Sequence, residues 1–126
     1  MVLYNGATLA YVGDAVLELK IREHLLAKGL TKVKDLHQAA IRYTAATGQA
    51  KAAEKLLAGF LTEAESDVFK RGRNAESSHK PKNADLATYH QATGLEALIG
   101  FLYLEGKHER LEALLLATIA AIEELL

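Results

Sequence analysis

Hydrophobic positions recur along this chain at three- and four-residue steps, not in strict alternation. That is the period of helices rather than strands. The spacing predicts a first helix over residues 8–28, closed by Gly29, since glycine readily takes the left-handed conformation that ends helices. A second helix is expected after Thr31, read as its N-cap, running through Asp35, Leu36, Ala39 and Ala40 to about residue 46. A third covers roughly 49–58, ahead of Gly59. The fourth opens on Thr62-Glu63-Ala64-Glu65, a capping box in which the threonine and the second glutamate each satisfy an amide at the helix start, and ends near Arg71-Gly72. Residues 72–82 are polar, hold the only proline and read as a loop. A long helix over about 83–104 follows, with Gly106 behind it, and then a last one over about 107–124. With no strand pattern, repeat or linker, the expectation is an all-α chain: one compact domain of five to seven helices covering residues 1–126.

Two of these helices break the amphipathic rule. The first carries Leu9, Tyr11, Val12, Val16, Leu17, Leu19 and Ile21 on almost every side; the fifth does the same with Leu95, Leu98, Ile99, Phe101, Leu102 and Leu104. A helix apolar all round is buried on more than one face, so each is a central core helix, a subunit interface, or both.

Half of the 126 residues are hydrophobic, enough for a real core. The absence of cysteine excludes disulfides and thiolate metal sites, and fits a reducing compartment. No signal-peptide pattern opens the chain, and the longest uncharged stretch near the C-terminus, residues 113–122, is too short to span a bilayer. A cytoplasmic protein with no membrane partner is expected. The net charge of −1 hides segregation. Lys70, Arg71, Arg73, Lys80 and Lys82 crowd one stretch with His79 and a single acid, Glu76, whereas the chain from Glu105 onward leans acidic. Segregated charge matters more than its sum when the partner is a polyanion. Lys20, Arg22 and Lys28 are further cations that the sequence alone does not place, although Glu18 stands four residues before Arg22, an ordinary helix pair.

Each of the two apolar helices contains one acid in its apolar stretch: Asp14 and Glu96. An isolated carboxylate is costly to bury, so such groups are normally paired, hydrogen-bonded or bound to metal, and oxygen ligands suit magnesium or manganese. Two plainer readings stand beside this. Asp14 serves equally as the N-cap of a helix starting at Ala15, and Glu96 as a solvated residue on a polar helix side. Other hydrolytic chemistries find no support: there is no Gly-x-Ser-x-Gly elbow, and His24, His37, His79, His90 and His108 lack the His-Glu-x-x-His spacing of zinc enzymes.

The segment Ala10-Tyr11-Val12-Gly13-Asp14-Ala15-Val16-Leu17-Glu18-Leu19 resembles the signature helix of ribonuclease III, and Leu95-Glu96-Ala97-Leu98-Ile99-Gly100-Phe101-Leu102-Tyr103-Leu104 resembles that family's second acidic motif, in the right order. The resemblance is closer still to the Mini-ribonuclease III branch, which lacks the double-stranded-RNA-binding domain, and there it covers nearly the whole chain. Its details include Asn5-Gly6, Asp35-Leu36-His37, Lys70-Arg71-Gly72-Arg73-Asn74-Ala75, and Pro81-Lys82-Asn83 leading to Asp85. This implies the ribonuclease III endonuclease-domain fold and a homodimer using Mg2+, with Mn2+ able to substitute. It implies staggered hydrolysis of double-stranded RNA to 5′-phosphate and 3′-hydroxyl ends, in maturation of a large-subunit (23S) ribosomal RNA precursor. Asp14 and Glu96 match the family's catalytic metal ligands.

The basic stretch gives the RNA-binding candidates: Lys70, Arg71, Arg73, Asn74, Ser77, Lys80 and Lys82. The plain reading of that stretch is a solvated loop. Full-length ribonuclease III has acids where this chain has Ala7, Ala10 and Thr93, and a further helical glutamate that falls near Lys51, with Glu54 one turn on. The alternative function is a non-catalytic RNA-binding or ribosome-assembly module on the same fold. Gly13 is expected to let backbones approach closely at the subunit interface, or merely to open a helix.

Overall fold

The structure, a computed structural model, describes residues 4–75 and 85–126. Six α-helices account for most of them: α1 (Gly6–Ala27), α2 (Val33–Thr44), α3 (Ala46–Leu57), α4 (Glu63–Arg73), α5 (Leu86–Leu104) and α6 (His108–Glu123). Among the described residues there is no strand, so the all-α expectation holds.

The helix ends show local sequence at work. Asn5 caps α1, its Oδ1 accepting from the Thr8 amide at 2.9 Å. Asp85 caps α5 in the same way, at 2.8 Å from the Thr88 amide. The expected capping box is formed: the Thr62 hydroxyl accepts from Glu65 N at 3.1 Å and the Glu65 carboxylate from Thr62 N at 3.0 Å. Gly29 (φ 98°) and Gly106 (φ 70°) close α1 and α5 in the left-handed region. One cap was misread. Thr31 does not cap α2; the helix starts a residue later, with Lys32 in the N-cap position and no side-chain bond.

Helix α5 is the hub, packed against α1, α3, α4 and α6 at once. This is why its apolar residues run round the whole cylinder: Leu95, Ala97, Leu98 and Ile99 lose all contact with solvent. Helix α1 behaves differently. Leu9, Leu17, Ile21 and Leu25 face the core, but Tyr11 is 82% exposed and Leu19 61%. The second apolar face of α1 is therefore open in the monomer.

The helices α1 and α5 cross at backbone contact. A Cβ added at Gly13 would stand 1.7 Å from the Glu96 carbonyl oxygen, and one at Gly100 would stand 2.0 Å from the Leu9 carbonyl oxygen. The expectation of a close approach at Gly13 was right, but its partner is α5 of the same chain rather than a second subunit.

Two ionic clusters tie the periphery down. Glu65, its side chain nearly buried, receives Arg110 in fork-to-fork fashion at 2.7 and 2.8 Å, while Arg110 also donates to Phe60 O at 2.7 Å and lies over the Phe60 ring. Glu123 accepts from Lys28, from His24 at 2.9 Å and from Tyr43 at 2.7 Å, joining α6 to α1 and α2. These bonds, Lys28's first among them, hold the Glu123 carboxyl down at about 2; Arg110 holds that of Glu65 below its usual value. A carboxylate held down in the folded state stabilises the fold fully above its unfolded value near 4.3, and loses that contribution as pH falls towards the folded value. The stability these two carboxylates supply is therefore expected to be flat from neutral pH to about 5 and to fall between roughly pH 4.5 and 2. After discounting for solvent screening, Glu123 should account for about 1–2 kcal/mol of that fall. Melting Glu123→Gln across the same range checks this: the variant should lose less on acidification than the wild type, and an identical loss would remove Glu123 from the account.

Candidate active site

The α1–α5 crossing positions two carboxyl groups. Asp14 follows Gly13, the residue pressed against the Glu96 carbonyl, so the side chains of Asp14 and Glu96 emerge side by side within hydrogen-bonding reach. Asp14 is exposed and Glu96 half-buried. The expectation of two buried acids is thus corrected for Asp14, and so are the plainer readings: Asp14 lies in the middle of α1, not at its start, and Glu96 faces a second acid. Burial, reinforced by the hydrogen bond and charge of Asp14, pushes the Glu96 carboxyl up to about 9. Glu96 therefore tends to hold its proton at neutral pH when no cation is bound.

They stand in a pocket of about 190 Å³. From α1 come Ala7, Ala10 and Tyr11; from α5 come Tyr89, His90 and Thr93; Ala75, just past α4, closes one side. Ala7, Ala10 and Thr93, the positions where the resemblance sets acids in full-length ribonuclease III, all border the pocket. They give it methyl groups and a hydroxyl rather than charge. The Thr93 hydroxyl donates to Tyr89 O at 2.9 Å. Lys51, near which the resemblance sets a further helical glutamate, borders a separate cavity with Arg42 and Gly48.

The donor set fits a hard divalent cation. It consists of two adjacent carboxylates, one open to solvent, whose mutual repulsion a cation would relieve. Among the described residues no third histidine or acid joins them to complete a cage. The remaining coordination positions would fall to water and substrate oxygens, as magnesium commonly allows.

Sequence reasoning passed over His90. It stands six residues before Glu96 and three before Thr93, on one stripe of α5, and that i, i+3, i+6 spacing was readable. Its Nδ1 is buried without a hydrogen-bond partner among the described residues, an arrangement that ordinarily costs about 1–3 kcal/mol.

A second and larger depression, about 660 Å³, adjoins the pocket and shares Ala7 and Ala75 with it. Its walls are Asn5 and Gly6 at the start of α1, and Asp67, Lys70, Arg71 and Asn74 along α4. Four predicted RNA contacts therefore lie beside the carboxylates or close to them: Lys70, Arg71 and Asn74 line the groove, whereas Arg73, half-buried, does not, and its Nε donates to Asn74 Oδ1 at 3.3 Å. Arg71 reaches back across the groove, donating to Tyr4 O at 2.7 Å. Ser77, Lys80 and Lys82 lie outside the described residues. Lys20, Arg22 and Lys28 are tied up in ion pairs with Glu112, Glu18 and Glu123 and do not extend this basic wall.

The chain is similar to known proteins over most of its length. The ribonuclease III domain family matches residues 7–107. The chain is 51% identical over 116 residues to Mini-ribonuclease 3 of Symbiobacterium thermophilum, covering 92% of this chain and 88% of that one. It is 46% identical to Mini-ribonuclease 3 of Streptococcus pneumoniae, over 96% and 95% of the two chains. A crystal structure of a Fusobacterium nucleatum protein superposes with a TM-score of 0.81 at 31% identity, covering 93% of each chain.

Proposed function

Because the chain belongs to the ribonuclease III family, and within it to the Mini-ribonuclease 3 branch, we propose that this endoribonuclease cuts double-stranded RNA with the help of Mg2+ or Mn2+, with Asp14 and Glu96 as its catalytic metal ligands. The observation that carries this reading is the meeting of the two acids, brought together from distant parts of the sequence by a glycine crossing, in a pocket that opens into a basic groove. When bound, the cation lowers the pKa of water and neutralises charge on the scissile phosphate. Asp14 and Glu96 fix where that happens. Lys70 and Arg71 hold neighbouring phosphates, Asn5 and Asn74 offer amide donors, and the small side chains of Ala7 and Ala10 leave space for the strand. The products carry 5′-phosphate and 3′-hydroxyl ends.

The working unit is a homodimer, each protomer cutting one strand. The open face of α1 supports this. Tyr11, beside the active-site pocket, protrudes into solvent, and farther along an apolar groove of about 240 Å³ between α1 and α2 is lined by Leu25, Leu26, Val33 and Leu36. A protruding aromatic and an apolar groove on one surface suit self-complementary pairing about a two-fold axis. No helix among the described residues is long and apolar enough to cross a membrane. The whole chain, residues 1–126, acts as one catalytic domain. The natural setting in this reading is the bacterial cytoplasm and the substrate a 23S ribosomal RNA precursor, as the resemblance of the two acidic motifs implies.

The test is incubation of the purified chain with a long RNA duplex and with the same strands unannealed, in magnesium and in excess chelator, alongside sedimentation of the protein. Cutting of the duplex alone, only with metal, by a species of twice the 13.7 kDa chain mass, is expected. Binding of duplex without cutting in either magnesium or manganese would instead identify a non-catalytic RNA-binding module.

A further inference from the structure

The groove beside the active site contains one residue that its basic character does not explain. Asp67 lies in its wall, exposed, with Lys70 three residues on and Arg71 four residues on along α4. At those spacings an acid and a base on a helix ordinarily pair. No pairing occurs among the described residues: Asp67 makes no ion pair or hydrogen bond, and Arg71 directs its guanidinium to Tyr4 O instead. The groove is also rigid at this point. A Cβ at Gly6 would stand 2.5 Å from the Arg71 carbonyl oxygen, so the start of α1 and the end of α4 are locked backbone to backbone. The backbone that carries the acid and the cations is thus held against the start of α1, the helix that carries Asp14.

An ionised carboxylate can only accept hydrogen bonds. Against phosphate it is repulsive. A duplex laid along Lys70 and Arg71 therefore meets Asp67 favourably only where it presents a donor. The shallow minor groove of duplex RNA offers two kinds, the 2′-hydroxyl and the exocyclic amine of guanine. Resting on the double-stranded-RNA reading above, we propose that Asp67 is a specificity-determining residue, accepting a hydrogen bond from a minor-groove donor of the substrate near the cut site. The cations hold the backbone whatever its sequence; Asp67 rejects duplexes that lack the donor, because its charge is then left facing the polyanion.

The test compares the wild type, Asp67→Asn and Asp67→Ala on three duplexes of one sequence. The first is all-ribose, the second has inosine for guanosine around the cut, removing the amine, and the third has 2′-deoxyribose there, removing the hydroxyl. Asp67 is exposed and unpaired, so all three proteins should melt alike. For the wild type, kcat/KM should fall on the order of tenfold on one modified duplex, and which one identifies the donor. Asp67→Ala should lose about the same factor on the all-ribose duplex and lose nothing further on that modified one. Asp67→Asn, which keeps an acceptor oxygen, should fall between. Were Asp67 merely a solvated charge, its removal would improve binding and cutting of all three duplexes alike, and that result overturns the proposal. So does a uniform loss across them. Failure of the wild type to cut the all-ribose duplex would instead count against the nuclease reading itself, so the two ideas fail separately.

Discussion

Gly13→Ala is expected to destabilise the fold severely and to abolish cleavage together. Elsewhere in a helix this change stabilises by up to about 1 kcal/mol, because alanine restricts the unfolded chain and favours the helix. Here the new methyl would lie 1.7 Å from the Glu96 carbonyl oxygen and 2.8 Å from Gly100 N, all of it backbone. A flexible side chain can swing aside; two helices in register cannot, unless α1 and α5 separate. Ordinary overpacking costs about 1–3 kcal/mol, and a clash with main chain belongs at or above the top of that range. For a domain of this size, a fall in melting temperature on the order of 10 °C or more should follow. Separation of the helices would also carry Asp14 away from Glu96, so residual folded protein should be inactive even below its melting temperature. Gly59→Ala provides the control: nothing lies within 4 Å of its added Cβ and its φ is not positive, so stability should hold or rise slightly. If Gly13→Ala melted like the control, the close crossing would not be what joins the two acids.

That crossing also marks where sequence reading succeeds and where it stops. The periodicity located every helix because each apolar stripe is a local property, and Thr62-Glu63-Ala64-Glu65 predicted its own cap because all the partners lie within one turn. Asp14 and Glu96 were legible as anomalies, acids in apolar company. What the pattern could not convey was which face of α1 the core would take. Apolar residues on every side signalled two buried faces, yet only one is covered within the chain, and Tyr11 and Leu19 on the other are left open. The partner of Gly13 was likewise misassigned to a second subunit, since a glycine announces a close approach without naming what approaches.

The same limit explains the basic residues. Charge density singled out Lys70, Arg71 and Arg73 alike, but helical phase separates them: two line the groove and the third, half-buried, does not. Asp67, in the same wall, drew no attention in sequence because a lone acid before two bases looks like an ordinary surface pair. Its significance emerges only when the pair fails to form.

Removing one carboxylate from the active-site pair should separate catalysis from stability, with opposite effects on each. Asp14→Asn and Glu96→Gln keep the volume and polarity of the side chains and remove one charge from the cation's ligand set. A group that concentrates charge stabilisation on the reacting phosphate commonly contributes a factor of 100 to 1000, and here the cation itself depends on the pair, so cleavage should fall on the order of 1000-fold or more in either variant. The double variant should be hardly worse than either single one, because the two residues act as a unit. Neither acid ties the fold together: no described cation pairs with them, and burial opposes the charge of Glu96. Without metal, both variants should melt no lower than the wild type, and Glu96→Gln somewhat higher as pH rises towards about 9, where the half-buried Glu96 carboxyl must otherwise give up its proton. Titrating magnesium should raise the melting temperature of the wild type by mass action on the folded state, and that rise should vanish in the variants. Duplex affinity, set by the basic groove, should change little in metal-free buffer. If both variants lost several degrees of stability without metal, the carboxyls would be structural; if either still cut duplex RNA at near the wild-type rate, the active site would lie elsewhere on the chain.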